Sequence, residues 1–122
     1  MVDAIHLDQI REHGGLAGLR DENALEAALA RPRHKWHYER RGDLATLAAA
    51  CGFGLSRSHP FRDGNKRVAF VVMVVFLELN GWRFEAGEAA VVQAMVALAD
   101  GSLSEKALAD WIRGYSIKPK RR

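Results

Sequence analysis

Apolar positions along this 122-residue chain recur mostly at helical spacing, and turn residues divide them into segments. Ile5 and Ile10 give one face to a short amphipathic helix over 4–12, and Gly14-Gly15 stops it. Asp21 predicts the N-cap of a second helix running to about Ala30, with Leu25, Ala28 and Leu29 as its apolar face and Arg31-Pro32 as its end. Residues 31–43 lose the period and read as an exposed loop or short hairpin. Asp43 then caps a helix from Leu44 to about Leu55, where Ala48–Ala50, Gly52 and Gly54 leave room for a close neighbour. Val68–Leu77 is an unbroken apolar run. Its β-branched content suits a strand, but the Glu78-Leu79 continuation and the Asn80-Gly81 stop favour a central helix from about Asn65 to Leu79, apolar all round. Trp82–Glu85 reads as a short extended piece and Glu88–Leu98 as a helix. Ser102-Leu103-Ser104-Glu105 predicts a capping box for a last helix through about Arg113, anchored by Leu108, Trp111 and Ile112. The pattern predicts one all-α domain over 1–117 and a flexible basic tail over 118–122.

Composition narrows the class. With 48% hydrophobic and 27% charged residues, the chain reads as a soluble globular domain with one core. Its single cysteine, Cys51, excludes an intramolecular disulfide and fits a reducing cytoplasm; the apolar surroundings predict a buried, inert thiol. No signal peptide is visible, and Val68–Leu77 is far shorter than the ~20 residues of a membrane span, so a cytoplasmic protein without a membrane partner is expected. The pI of about 9.4 invites a nucleic-acid reading. The charge distribution weakens it: net −4 over 1–30, +6 over 31–67, −3 over 68–117 and +4 in the tail. The positive charge gathers around one motif and the stretch before it rather than along a helix face, so nucleic acid is not expected as a partner by itself.

That motif is His59-Pro60-Phe61-Arg62-Asp63-Gly64-Asn65-Lys66-Arg67, a dense polar loop leading into the apolar helix. A phosphoryl or nucleotidyl transfer site needs donors for phosphate oxygens, a carboxylate for Mg²⁺ and a group to take a proton from the attacking hydroxyl. Gly64 permits a tight turn with amides facing an anion. Asn65, Lys66 and Arg67 fall in the first helical turn, where the helix dipole favours negative charge. Lys66 supplies a point charge and Arg67 a planar fork. Asp63 is a hard oxygen ligand for Mg²⁺, and His59 is of the residue type that most often serves as a general base. Phe61 anchors the loop in the core. Spacing alone leaves an equal alternative, a polar helix cap with a structural histidine. His34 and His37 lack a carboxylate or cysteine at ligand spacing with His59, so zinc is not expected. Trp82 and Trp111 read as core or groove-lining residues rather than base-stacking platforms.

The nine residues resemble the Fic/Doc signature of histidine-x-phenylalanine-x-acidic-small-asparagine-x-arginine, with every fixed position filled. Ile5-His6, Glu12–Gly15, Gly18–Asp21, Leu25–Pro32 and Phe76–Gly81 look like the Doc branch, the "death on curing" toxins of toxin–antitoxin modules. The resemblance implies a bundle of about six helices around the central apolar helix, with a short loop or β-hairpin flap over the site. Arg33, Lys35, Arg40 and Arg41 of 31–41 would belong to that flap, which in the family lines up the target segment; a solvated basic loop is the alternative. Fic enzymes that transfer AMP usually carry a second glycine where this chain has Lys66, as Doc toxins do. The resemblance therefore implies a kinase that uses ATP and Mg²⁺ to phosphorylate a hydroxyl of a translation factor, elongation factor Tu, and so arrests translation. His59 would be the general base, Asp63 the Mg²⁺ ligand, and Gly64, Asn65, Lys66 and Arg67 the phosphate holders. It also implies an antitoxin of the prevents-host-death type, whose C-terminal segment folds as a helix in a groove; the acidic stretches 1–30 and 68–117 suit a partly basic helix. An AMP transferase and an inactive binding module of the same fold remain as alternatives. Two departures stand out: Val68 where Doc sequences commonly have threonine, and fewer residues before Ile5-His6 than relatives usually carry.

Overall fold

The apolar run becomes the central helix α4 (Asn65–Leu79). The computed structural model describes residues 2–39 and 43–117, with the side chains of residue 3 and of residues 35–39 left aside. Around α4 lie α1 (Val2–His13), α2 (Glu22–Glu39), α3 (Leu44–Ser58), α5 (Glu88–Asp100) and α6 (Glu105–Gly114). β1 (Arg83–Phe84) and β2 (Ser116–Ile117) form a minimal antiparallel pair, Arg83 opposite Ile117 and Phe84 opposite Ser116. The chain is all-α in architecture, with six helices among the described residues, as the periodicity predicts.

The small residues of α3 explain how the centre closes. A Cβ on Gly52 would fall 2.2 Å from Met73 Sδ, so α4 lies where only a glycine lets it lie. A Cβ on Gly54 would meet Arg31 Cδ at 2.6 Å and Ala28 Cα at 3.2 Å, so α2 presses on the next turn. Two apolar clusters result. One joins Ala45, Ala48, Met73, Leu77, Leu98, Leu108 and Ile112 across α3–α6, with Trp82. The other joins Leu25, Ala28, Cys51, Leu55, Val68 and Val72 to Phe61 of the motif loop. Burial in this second cluster pushes the Cys51 thiol up to about 11, which keeps it protonated and inert. Val68 is fully buried there, a packing position as expected. Trp82 is buried and Trp111 packs on Phe84 and Tyr115, both in structural roles. Among the described residues no helix is long and apolar enough to cross a membrane.

Two local expectations need correction. α2 does not stop at Arg31-Pro32 but continues through Pro32 to Glu39, so residues 31–39 are helix rather than loop or hairpin. Pro32 cannot donate to the Ala28 carbonyl, a loss that normally ends a helix. Tertiary contacts override it: Arg31 donates from Nε to the Ala50 carbonyl (3.2 Å), pairs with the Glu105 carboxylate, and lies 5.6 Å from the Phe53 ring centre. Arg33 is thus an exposed helical residue; Lys35 is in the helix with its side chain outside the description, and Arg40, Arg41 and the tail 118–122 lie outside the described residues. The second correction concerns α6. Ser104, not Ser102, is its cap and accepts from the Ala107 amide, while Ser102 stays in the preceding turn with its amide on Asp100 Oδ1. Glu105 instead reaches Arg31.

Candidate active site

His59 ends α3 in the left-handed conformation, φ 49° and ψ 56°, and is the sole non-glycine residue with positive φ among those described. Two features favour leaving the right-handed helix at this residue. Pro60 follows, and the residue before a proline is disfavoured in the right-handed helical region. The helix must also turn its last carbonyls toward new donors, which a left-handed terminal residue allows. His59 is exposed, and its imidazole has no hydrogen-bond partner among the described residues.

The loop that follows is fixed from beneath. Phe61 is buried, with 2% of its surface exposed, and its ring stacks on buried His6 with centroids 4.0 Å apart and planes 9° apart. Asn65 is buried and spends both ends of its carboxamide on one peptide: Oδ1 accepts from Phe61 N and Nδ2 donates to Phe61 O, each at 3.0 Å. This closes the loop onto the first turn of α4. Gly64, at φ 76°, is the N-cap of α4 and brings no side-chain cap, so the helix start faces outward. Asp63 stands just before it. Its Oδ1 accepts from the Gly64 amide (2.8 Å) and its Oδ2 from the Leu16 amide (3.3 Å), while its carbonyl accepts from His6 Nε2 (2.8 Å).

His59, Arg62, Asp63, Gly64, Asn65, Lys66 and Arg67 line one cleft of about 330 Å³. Three cations and one carboxylate there give a net positive, open pocket at a helix N-terminus, the setting that attracts phosphate. Arg67 also donates from Nη2 to the Gly14 carbonyl (3.2 Å), which ties the 14–18 loop to the rim. Gly15 is required on that loop, because a Cβ there would lie 2.6 Å from Asp63 Oδ2. Asp63 is the carboxylate of the cleft, and among the described residues no three His, Cys, Asp or Glu side chains gather as a metal cage.

A model of the Fic/DOC family matches residues 1–77, the span that contains this cleft. The chain belongs to the Fic/DOC family. It is similar to the protein kinase doc of Escherichia phage P1, 34% identical over 111 residues that cover 90% of this chain and 86% of that one. It is also similar to the toxin Doc of Mycolicibacterium smegmatis (strain ATCC 700084 / mc(2)155), 39% identical over 77 residues, which cover 60% of this chain and 57% of that one.

Within this Fic/DOC chain, the sequence-predicted residues 59 and 63–67 share one cleft, and Phe61 is the buried anchor. Asn65 lines the cleft while both ends of its carboxamide hold the loop through the Phe61 peptide. Arg33 does not line the cleft. Sequence reasoning missed His6 and Arg20. His6 sits on the helix before the Gly14-Gly15 stop, and only a contact 57 residues away reveals what it supports. Arg20 reads as one more charge in a turn, yet it caps α3.

Proposed function

We propose that this chain is a Doc-type toxin of a toxin–antitoxin module, a cytoplasmic kinase that moves the γ-phosphoryl group of ATP onto a protein hydroxyl. The observation that carries the reading is Lys66 lining the cleft beside Asp63, where AMP-transferring relatives of the family carry glycine. A lysine there fills the space around the middle phosphates and favours a pose that presents the terminal phosphate to the acceptor. The phage P1 relative's name, protein kinase doc, agrees with that choice.

In this mechanism His59 Nε2 or Nδ1 takes the proton of the acceptor hydroxyl as its oxygen bonds to the γ-phosphorus, and the bond to the bridging oxygen breaks to release ADP. Lys66, Arg67 and the amides at the start of α4 hold the phosphate oxygens. Asp63, the carboxylate of the cleft, would hold the Mg²⁺ of the nucleotide, whose charge would offset that of the transferring phosphoryl group. The acceptor is proposed to be a threonine of elongation factor Tu, and the restraining partner an antitoxin of the prevents-host-death type whose C-terminal segment folds on binding.

The test is transfer of label to purified elongation factor Tu. Label from γ-labelled ATP is expected with the wild-type chain and not with His59→Ala. Label from α-labelled ATP alone overturns kinase activity in favour of AMP transfer, and Lys66→Gly is the substitution expected to move the chain toward it. Growth arrest on expression that survives Asp63→Ala would overturn a catalytic toxin altogether.

A further inference from the structure

Three consecutive carbonyls at the end of α3 are all held by one dipeptide from a different part of the chain. Arg20 donates from Nε to the His59 carbonyl and from Nη2 to the Ser58 carbonyl, each at 2.8 Å. The backbone amides of Arg20 and Asp21 donate to the Pro60 carbonyl at 2.8 and 3.0 Å. Residues 20–21 therefore grip the chain before, at and after His59. The guanidinium also brings a positive charge to the negative end of the helix dipole, and its fork matches two carbonyls in a row. His59 is at this point in the left-handed conformation, which a non-glycine residue keeps only when its surroundings over-determine it. Arg20 is exposed and does not line the cleft, so it does not meet the nucleotide there.

We propose that Arg20 is a positioning residue: its two hydrogen bonds hold His59 in the left-handed backbone conformation that turns the imidazole to the cleft. This rests on the reading of His59 as general base. The role predicts a specific division of effects. Loss of Arg20 misplaces the base without touching the phosphate holders, so turnover falls and nucleotide binding does not.

The experiment uses the full chain as wild type, Arg20→Ala and Arg20→Lys, each shown folded by circular dichroism. His59 backbone and ring resonances are read by NMR, Mg·ATP affinity by calorimetry, and transfer rate by label. Arg20→Ala is expected to move the His59 Cα and Cβ shifts away from left-handed values and to lower kcat on the order of 10–100-fold. Mg·ATP affinity is expected to stay within about twofold. Arg20→Lys keeps the charge and at least one donor and is expected to recover part of the rate. Millimolar guanidinium is expected to restore several-fold activity to Arg20→Ala and none to His59→Ala. Unchanged His59 shifts in folded Arg20→Ala protein overturn the proposal, as does a loss of Mg·ATP affinity as large as the loss of rate. Should His59→Ala transfer phosphate as fast as wild type, the general-base reading fails on its own, and the NMR comparison still decides whether Arg20 sets the conformation of residue 59. If Arg20→Ala does not fold, Arg20→Lys carries the same comparison.

Discussion

The two ends of α3 are built from similar parts to opposite purposes. At the N-terminus Asp43 adopts an ordinary extended conformation, φ −75° and ψ 174°, and its carboxylate accepts from the Thr46 amide at 2.9 Å. Arg113 of α6 then grips the same carboxylate with both arms, at 2.7 and 3.0 Å. At the C-terminus an arginine again comes from elsewhere, but it takes backbone carbonyls directly and leaves the terminal side chain alone. A residue whose only task is to end a helix spends its side chain on the cap. At residue 59, proposed for chemistry, the side chain takes no part: the cap comes from Arg20 and the backbone accepts strain.

The contrast breaks most sharply under truncation of His59. His59→Ala is expected to lower phosphoryl transfer about 10²–10⁴-fold, the usual worth of a general base, with the melting temperature unchanged or higher. A fall in both would make this end structural like the other. Midway along the helix, Gly52→Ala tests a position with no chemistry: the new methyl group collides with buried Met73 and is expected to destabilise the fold by about 1–3 kcal/mol in a urea melt, leaving nucleotide affinity of the folded protein intact.

At the N-terminal end, Asp43→Ala removes a cap and an ion pair together. The cap is worth about 1 kcal/mol, and the half-exposed pair adds at most about another. The expected loss is therefore about 1–2 kcal/mol, read by denaturant, with turnover unchanged. The pH dependence has a definite sign. The Arg113 guanidinium, then the Thr46 amide and hydroxyl, hold the Asp43 carboxyl well below the usual carboxylate range. Its contribution is thus present above the unfolded-state value near pH 4 and is lost as pH falls toward the lowered folded value. The gap in acid unfolding between wild type and Asp43→Ala should narrow steadily as pH falls below about 4, and a constant gap down to pH 2 would refute the assignment.

The structural end of α3 was legible from sequence and the functional end only in part. Asp43 before Leu44 is a local signal, as are Asp21, Gly14-Gly15 and Asn80-Gly81, because capping and turn chemistry act within a few residues. The start of α4 at Asn65 and its end at Leu79 were legible for the same reason. The motif also shows which side chains converge, since 59 and 63–67 lie within one turn and loop. What a local pattern cannot carry is contact across the chain. The helix persists through Pro32 because Arg31 reaches Ala50 and Glu105, 19 and 74 residues away. Ser104, not Ser102, caps α6, whose first residue Glu105 pairs with that same Arg31. Asn65 looked like a phosphate ligand because its carboxamide is polar and well placed, and its bonding to the Phe61 peptide appears only once the loop is folded.

The smallest expected effect is the one that separates the two ends by sign. His59→Gly removes the side chain and fits the left-handed conformation without strain. Relief of that strain is worth roughly 1–2 kcal/mol. The added freedom of glycine in the unfolded chain takes back about 0.5–1 kcal/mol. Because the imidazole is exposed and makes no hydrogen bond among the described residues, little packing is lost. The net is a gain of about 0–1.5 kcal/mol, with the proposed phosphoryl transfer expected to be lost. Asp43→Gly, at the other end of the same helix, has no strain to relieve and loses the Arg113 pair, so it should destabilise. Paired urea melts of the two glycine variants give the comparison directly. Opposite signs are expected; a loss of stability at both ends would mean that residue 59 is held by the packing of its side chain, and that the strained backbone is not where this site differs from an ordinary helix end.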